Sequence, residues 1–195
     1  GTVKYLVALA ISALSCLLSQ ALLACELNSL PNRDGRSQWY CSNSSSTVIV
    51  FVHGLNSNSA DVWLYASEAA SDDRVYWPEL ARDDPILAAS DDANVSPSIL
   101  LASFHTGPGS RSFSIADAQK QIFDALFSSI DGQLPAVEKK TIILVGHSLG
   151  GVLLRDVLSR NADRLLGKRL GLLLVASPSK GSTFANIAGY AQWAV

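Results

Sequence analysis

One serine in this sequence has the surroundings of a nucleophile. Ser148 stands between Gly146 and Gly150, directly after the apolar run 141–145 and shortly before a helix-like segment at 152–160. A strand, a sharp turn and a helix in this order hold a hydroxyl clear of a sheet, and glycine is needed where a Cβ would collide with neighbouring backbone. Such a serine could attack an ester carbonyl and form an acyl-enzyme. The alternative is a serine in an ordinary turn, because the bare spacing also arises by chance.

Continuous apolar runs, rather than alternating ones, predict strands that are covered on both faces, as in a parallel sheet. These runs lie at 47–52, 99–104, 141–145 and 170–176. Helical patterns separate them, and the clearest covers 115–130, with Ser114 and Asp117 as a capping box. The alternation predicts the α/β class with a doubly wound, mostly parallel sheet, whose ligand site lies beyond the carboxyl ends of the strands.

A second segment at such a strand end supports the first. His53, Gly54 and Leu55 follow the predicted strand 47–52. A His-Gly-x sequence in this place resembles the oxyanion loop of lipases and esterases, and the Gly-His-Ser-Leu-Gly sequence at 146–150 resembles their nucleophile elbow. By these motifs the chain resembles the α/β-hydrolase superfamily and, more narrowly, its SERAC-type, lipase-like serine hydrolases.

The resemblance implies a role for each motif. Ser148 would be the nucleophile, and the backbone N–H groups of Leu55 and Leu149 would form the oxyanion hole, which stabilises the negative charge developing on the ester oxygen. The residues that would support these motifs without reacting are His53, Gly54, Gly146, His147 and Gly150. This chemistry needs neither a metal ion nor an organic cofactor, so we expect none.

The usual partners of the serine are missing. The superfamily's chain order is serine, then an acid, then histidine. The three histidines, His53, His105 and His147, all precede Ser148, and no Asp, Glu or His follows the last predicted strand. We therefore expect the sequence to be truncated, with the remaining strands, the acid and the histidine beyond Val195, and we expect this chain alone to be inactive. The rival is a short protein that lost its triad and binds without turnover.

The stretch from Tyr5 to Cys25 is apolar and uncharged, and it is long enough to span a bilayer. Lys4 before it and small residues near its end also give it the outline of a secretory signal, and the sequence at 22–25 resembles a bacterial lipobox. A cleaved signal or lipoprotein leader, an uncleaved anchor and a buried helix are the alternatives. The first two predict a membrane-associated or exported protein.

Three parts follow from this pattern of composition. They are an apolar leader at 1–25, a polar, Ser- and Asn-rich linker at 26–46, and the N-terminal part of a hydrolase domain at 47–195. In an oxidising compartment Cys25 and Cys41 could form a disulfide. The net charge of −2 and the lack of a long basic run argue against nucleic acid as a partner. The cysteines lack the spacing of metal ligands.

Together these features predict a serine ester hydrolase of the lipase or esterase type that acts on an ester or lipid substrate. An acyltransferase on the same scaffold is one alternative, because it differs only in how well the site excludes water. A catalytically incomplete module that binds a lipid or a partner is the other.

Overall fold

The computed structural model of the protein describes residues 35–66, 74–91, 94–105 and 114–178. Within these ranges the chain forms seven strands, four α-helices and two short 3-10 helices. The strands are β1 (Gln38–Cys41), β2 (Thr47–Val52), β3 (Leu64–Ala66), β4 (Arg74–Tyr76), β5 (Ser98–Ala102), β6 (Thr141–His147) and β7 (Arg169–Val175). The helices are α1 (Trp77–Asp83), α2 (Pro85–Ala89), α3 (Ile115–Phe127) and α4 (Leu149–Arg160), and the 3-10 helices are Ala136–Glu138 and Ala162–Leu165.

Five strands form one sheet in the order β1-β5-β2-β6-β7. Strands β5, β2, β6 and β7 are parallel, and β1 pairs antiparallel with β5. The chain passes from β2 to β5 on one side and then crosses to β6 on the other side of β2, so the strand order reverses between β2 and β6. Open α/β sheets bind ligands at such a reversal, beyond the carboxyl ends of the strands. The predicted doubly wound, mostly parallel sheet is confirmed.

Burial explains why the strands have continuous apolar sequences. On β2, Val48, Val50 and Val52 belong to the core that the sheet forms with α3 and α4. Ile49 and Phe51 belong to the core on the opposite face, together with residues of the β3–β4 hairpin, α1 and α2. The strand is therefore withdrawn from water on both faces, which is the arrangement that a run without polar alternation predicts.

The helix predicted over 115–130 is confirmed, with a shorter C-terminal end. Ser114 is its N-cap, as expected, since its hydroxyl accepts the Asp117 N–H at 2.9 Å. Helix α3 ends at Phe127 because Ser128 is extended and Ile130 takes part in an isolated β-bridge instead. The apolar residues keep their helical spacing as far as Ile130, past the point where the backbone leaves the helix.

The polar segment 26–46 is not a linker throughout, and this prediction is wrong for its second half. Strand β1 lies within it and forms an edge of the sheet. Tyr40 and Cys41 are buried there, at 2% and 3% exposure. The Ser- and Asn-rich composition around β1 concealed a four-residue strand whose pairing partner, β5, is distant in sequence. The folded domain therefore begins before residue 47.

The predicted leader, 1–25, lies outside the described residues, as does the segment 26–34. Cys41 is disulfide-bonded. Since the other two cysteines, Cys16 and Cys25, are both outside the described ranges, the pairing of Cys25 with Cys41 stays a prediction. Among the helices of the described ranges, none is long and apolar enough to cross a membrane.

Candidate active site

Ser148 lies at the carboxyl end of β6, which runs between β2 and β7. Its backbone adopts φ 51° and ψ −121°. Residues other than glycine rarely adopt a positive φ, and the strain costs on the order of 1–3 kcal/mol. Helix α4 begins at the next residue, Leu149, earlier than the sequence predicts because Gly150 and Gly151 weaken the helical signal of its first turn. The strained residue is thus the direct junction of strand and helix.

Two glycines permit this junction because neighbouring backbone occupies the space of their missing side chains. A Cβ on Gly146 would lie 2.5 Å from the Cα of Gly151. A Cβ on Gly150 would overlap the carbonyl oxygen of His53 and lie 2.7 Å from that of Val52. These contacts press the first turn of α4 against the end of β2 and so bring the two predicted motifs together.

Gly54 brings the loop after β2 against the serine. A Cβ at this position would lie 3.0 Å from the Cβ of Ser148 and 2.9 Å from Nδ1 of His147. The next residue, Leu55, packs its side chain on the core. Over the described ranges its N–H has no backbone acceptor. The N–H of Leu149 opens helix α4 and therefore has no partner within the helix. Leu55 and Leu149 carry the two N–H groups that the sequence predicts as oxyanion donors, and within the described ranges neither has a backbone acceptor.

The Ser148 hydroxyl is half-buried. It makes no capping hydrogen bond to α4, and we find no other hydrogen bond of this hydroxyl to the described part of the chain. Within the described ranges, the hydrogen bonds of Ser148 are therefore made by its backbone.

His53 ties the loop after β2 to the end of β5. Its Nε2 accepts the backbone N–H of Phe104 at 3.2 Å, so the proton must sit on Nδ1, which lies 2.8 Å from the carbonyl oxygen of Gly54. The imidazole stacks on the Phe104 ring at a centroid distance of 4.6 Å. Burial lowers the pKa of His53, against a weaker raising effect of the Gly54 hydrogen bond. A neutral, fully engaged His53 braces the loop and has no nitrogen left for proton transfer.

A comparison with models of protein families identifies the family of this chain. A family model described as the alpha/beta hydrolase family matches residues 49–194. The chain belongs to the alpha/beta hydrolase family. Among solved structures, the hydrolase is similar to that of a "C6-C4 SN3 inhibited" esterase B from Lactobacillus rhamnosis, with 14% identity and a TM-score of 0.38. The match covers 95% of this chain and 62% of that one, so the chain spans less than two thirds of the esterase's length. A search of curated proteins found no match.

The other two histidines of the chain have different surroundings. His147 lies against Gly54 and meets the Trp63 ring edge-on at 6.2 Å between centroids. Its Nδ1 is buried and has no hydrogen-bond partner within the described residues. His105 is exposed at the end of β5. Because β2 separates β5 from β6, two strand spacings, roughly 10 Å, lie between His105 and the Ser148 strand.

The acidic residues that follow the serine most closely in sequence lie at the surface. Asp156, on α4, accepts hydrogen bonds from Gln119 at 2.8 Å and from Arg160 at 2.7 Å. Asp163 is exposed beyond the helix. The described residues therefore place Ser148 and Leu149 at the end of β6 and Leu55 after β2, and they do not hold an acid–histidine pair beside them.

Aromatic residues of the β3–β4 segment divide between core and surface. Trp63 and Tyr76 are each 3% exposed, whereas Tyr65 and Trp77 are 61% and 41% exposed. Trp63 connects these aromatic residues with the serine turn, because its ring contacts both Trp77 and His147. The three-residue strands that carry this segment were too short to be predicted. Within the described ranges there is no group of three or more metal-ligating side chains.

Replacing Gly150 with alanine should destabilise the hydrolase by several kcal/mol, since the new methyl group would force α4 away from the carbonyl groups at the end of β2. Gly171→Ala is the matched control, because its Cβ would meet its nearest neighbour at an ordinary 3.6 Å. Urea unfolding curves should therefore shift strongly for Gly150→Ala and little for Gly171→Ala. Equal shifts would contradict the close packing described for α4.

The stability of the hydrolase should fall as the pH drops below 6.5. The unfolded chain binds a proton at His53 near its ordinary pKa of 6.5, whereas the folded chain resists protonation because its pKa is lowered by burial. The stabilisation that His53 contributes is thus complete above pH 6.5. It is lost as the pH falls from 6.5 toward the lower pKa of His53 in the folded chain, at up to about 1.4 kcal/mol per pH unit.

Unfolding free energies between pH 7.5 and about pH 5 test this dependence. His105→Gln, at an exposed position, should keep the slope. His53→Gln should be less stable at pH 7.5 and show a shallower slope. An unchanged slope in His53→Gln would refute the assignment.

Proposed function

We propose that this member of the alpha/beta hydrolase family is a serine ester hydrolase of the lipase or esterase type. The observation that carries the proposal is the strained Ser148 at the junction of β6 and α4, with an accessible hydroxyl. A positive φ at a non-glycine residue persists only where the surrounding structure enforces it, and such residues cluster at functional sites.

In the proposed reaction, the Ser148 oxygen attacks the carbonyl carbon of an ester and loses its proton to a base. The carbonyl oxygen takes the negative charge, which the N–H groups of Leu55 and Leu149 stabilise. Collapse of this intermediate expels the alcohol, which takes up the proton, and leaves an acyl group on Ser148. Water then attacks the acyl-enzyme and releases the carboxylic acid. The steps require no metal ion and no organic cofactor.

The base in this proposal is a histidine that the printed sequence does not provide. His53 is engaged at both nitrogens, His147 packs against Gly54 and Trp63, and His105 lies two strands away. The Ser148 hydroxyl has no hydrogen-bond partner within the described residues, so it can donate to such a base.

An apolar acyl group fits the surroundings of the serine better than a charged one. Trp63 is buried against His147, the neighbour of Ser148, and the half-exposed Trp77 packs on Trp63, so aromatic side chains extend from the serine turn to solvent. We therefore propose esters with an apolar acyl chain, including lipids, as the substrate class.

Imidazole should replace the missing base. With added imidazole, the chain should hydrolyse p-nitrophenyl butyrate at least about tenfold faster than its Ser148→Ala variant, since a positioned general base contributes more than this factor. Ser159→Ala, on the exposed face of α4, is the matched control and should behave like the parent chain. Equal rates for the parent and Ser148→Ala under these conditions would refute Ser148 as the nucleophile.

We also propose that the hydrolase is membrane-associated or exported through residues 5–25, which carry no charge. Expression in a bacterial host followed by cell fractionation tests this. The parent chain should leave the cytosolic fraction, and a variant with both Leu14→Arg and Leu17→Arg should remain there, because charges in an apolar segment oppose insertion. The same distribution for both chains would contradict the proposal.

A further inference from the structure

The last residue of β7 and a residue just after the strand bind both backbone polar groups of Ser148. The Ser148 N–H donates to the carbonyl oxygen of Val175 at 2.9 Å. The Ser148 carbonyl oxygen accepts a hydrogen bond from the hydroxyl of Ser177 at 2.7 Å. The strained residue is therefore fixed from the side of β7 at both ends of its backbone, in addition to a longer bond of 3.2 Å from the Gly151 N–H to its carbonyl oxygen.

The position of Ser177 is itself closely determined. Ala176, which precedes it, has a positive φ of 49°, so the chain turns sharply as it leaves β7. A Cβ on Gly151 would overlap the Ser177 hydroxyl and lie 2.9 Å from the Ser177 Cβ. Ser177 thus packs directly on the first turn of α4, where only a glycine leaves room for it.

The carbonyl group that Ser177 binds belongs to the same peptide unit as the N–H of Leu149. A peptide unit is planar and rigid, so a hydrogen bond to its oxygen also fixes the direction of its N–H. Accepting a hydrogen bond at the oxygen further polarises the unit and strengthens the N–H as a donor. The Leu149 N–H is one of the two proposed oxyanion donors, so Ser177 bears on the group that would stabilise the transition state.

We propose that Ser177 is a positioning residue for the oxyanion hole, which acts through the Ser148–Leu149 peptide and does not touch the substrate. This proposal rests on the proposed serine hydrolase function. Without the hydroxyl, the peptide unit keeps only the weaker Gly151 contact, and the Leu149 N–H is free to rotate away from the oxyanion. The loss should appear in the chemical step rather than in the binding of the reagent.

The reaction of the chain with a fluorophosphonate, in the presence of imidazole as the base, tests this proposal, because phosphonylation of Ser148 places negative charge on an oxygen in the oxyanion hole. Saturation kinetics separate the maximal inactivation rate from the reagent concentration at half-saturation. Ser177→Ala removes one oxygen and adds no bulk, so the fold should persist. Its maximal rate should fall by about tenfold, less than the loss of a whole oxyanion donor, with half-saturation unchanged.

Ser159→Ala is the matched control, because the Ser159 hydroxyl also donates to a backbone carbonyl of α4, that of Asp156, at 2.9 Å and away from the site. It should leave both constants unchanged. A Ser177→Ala chain that reacts as fast as the parent would overturn the positioning role while leaving the hydrolase proposal intact. So would a change in half-saturation together with a lower melting temperature, which indicates a merely structural role. A parent chain that is not modified at Ser148 would instead overturn the proposed function itself.

Discussion

The close approach of backbone to backbone around Ser148 is the constraint on which the rest of the site depends. Helix α4 starts in contact with the ends of β2 and β6, and Gly150 and Gly146, respectively, make these two close approaches possible. The approach forces the connecting residue into a positive φ. Because the sheet and its two apolar cores are buried on both faces, their packing can sustain a local strain of a few kcal/mol.

Three neighbouring segments contact the strained turn and hold it in place. The loop after β2 lies against it through Gly54, and His53 fastens that loop to the end of β5. The residues after β7 bind its backbone at two points. These contacts are made by backbone atoms, a neutral imidazole and a hydroxyl, so the site is fixed by groups that keep their hydrogen bonds when the substrate changes its charge. Such a preorganised arrangement is what an acyl-transfer site requires.

The sequence predicted the features that rest on local pattern. The strands β2, β5 and β6 were recognisable because burial on both faces leaves no polar alternation. Strand β7 has the same continuous apolar sequence, although its side chains are exposed or half-buried in the described structure. The elbow was recognisable because its glycines have fixed spacing around Ser148. Strand β1 was not, since its Trp39 and Tyr40 lie in a polar segment and their partner strand is distant in the chain. The hydrogen bond from Ser177 to Ser148 joins residues outside the periodic apolar segments, so no sequence pattern indicates it. The tautomer of His53 depends on a hydrogen bond from Phe104, which follows a different strand. These features follow from tertiary contact alone.

The central claim is that the fold makes Ser148 a nucleophile. Peptide mass spectrometry after treatment with a fluorophosphonate in the presence of imidazole, carried out on the folded chain and on the chain in urea, tests it most directly. Our account predicts one adduct, on the peptide that contains Ser148, in the folded chain, and none after unfolding, because the strained turn and the oxyanion donors exist only in the fold. An adduct on a different serine, or equal modification of the folded and unfolded chains, would contradict it.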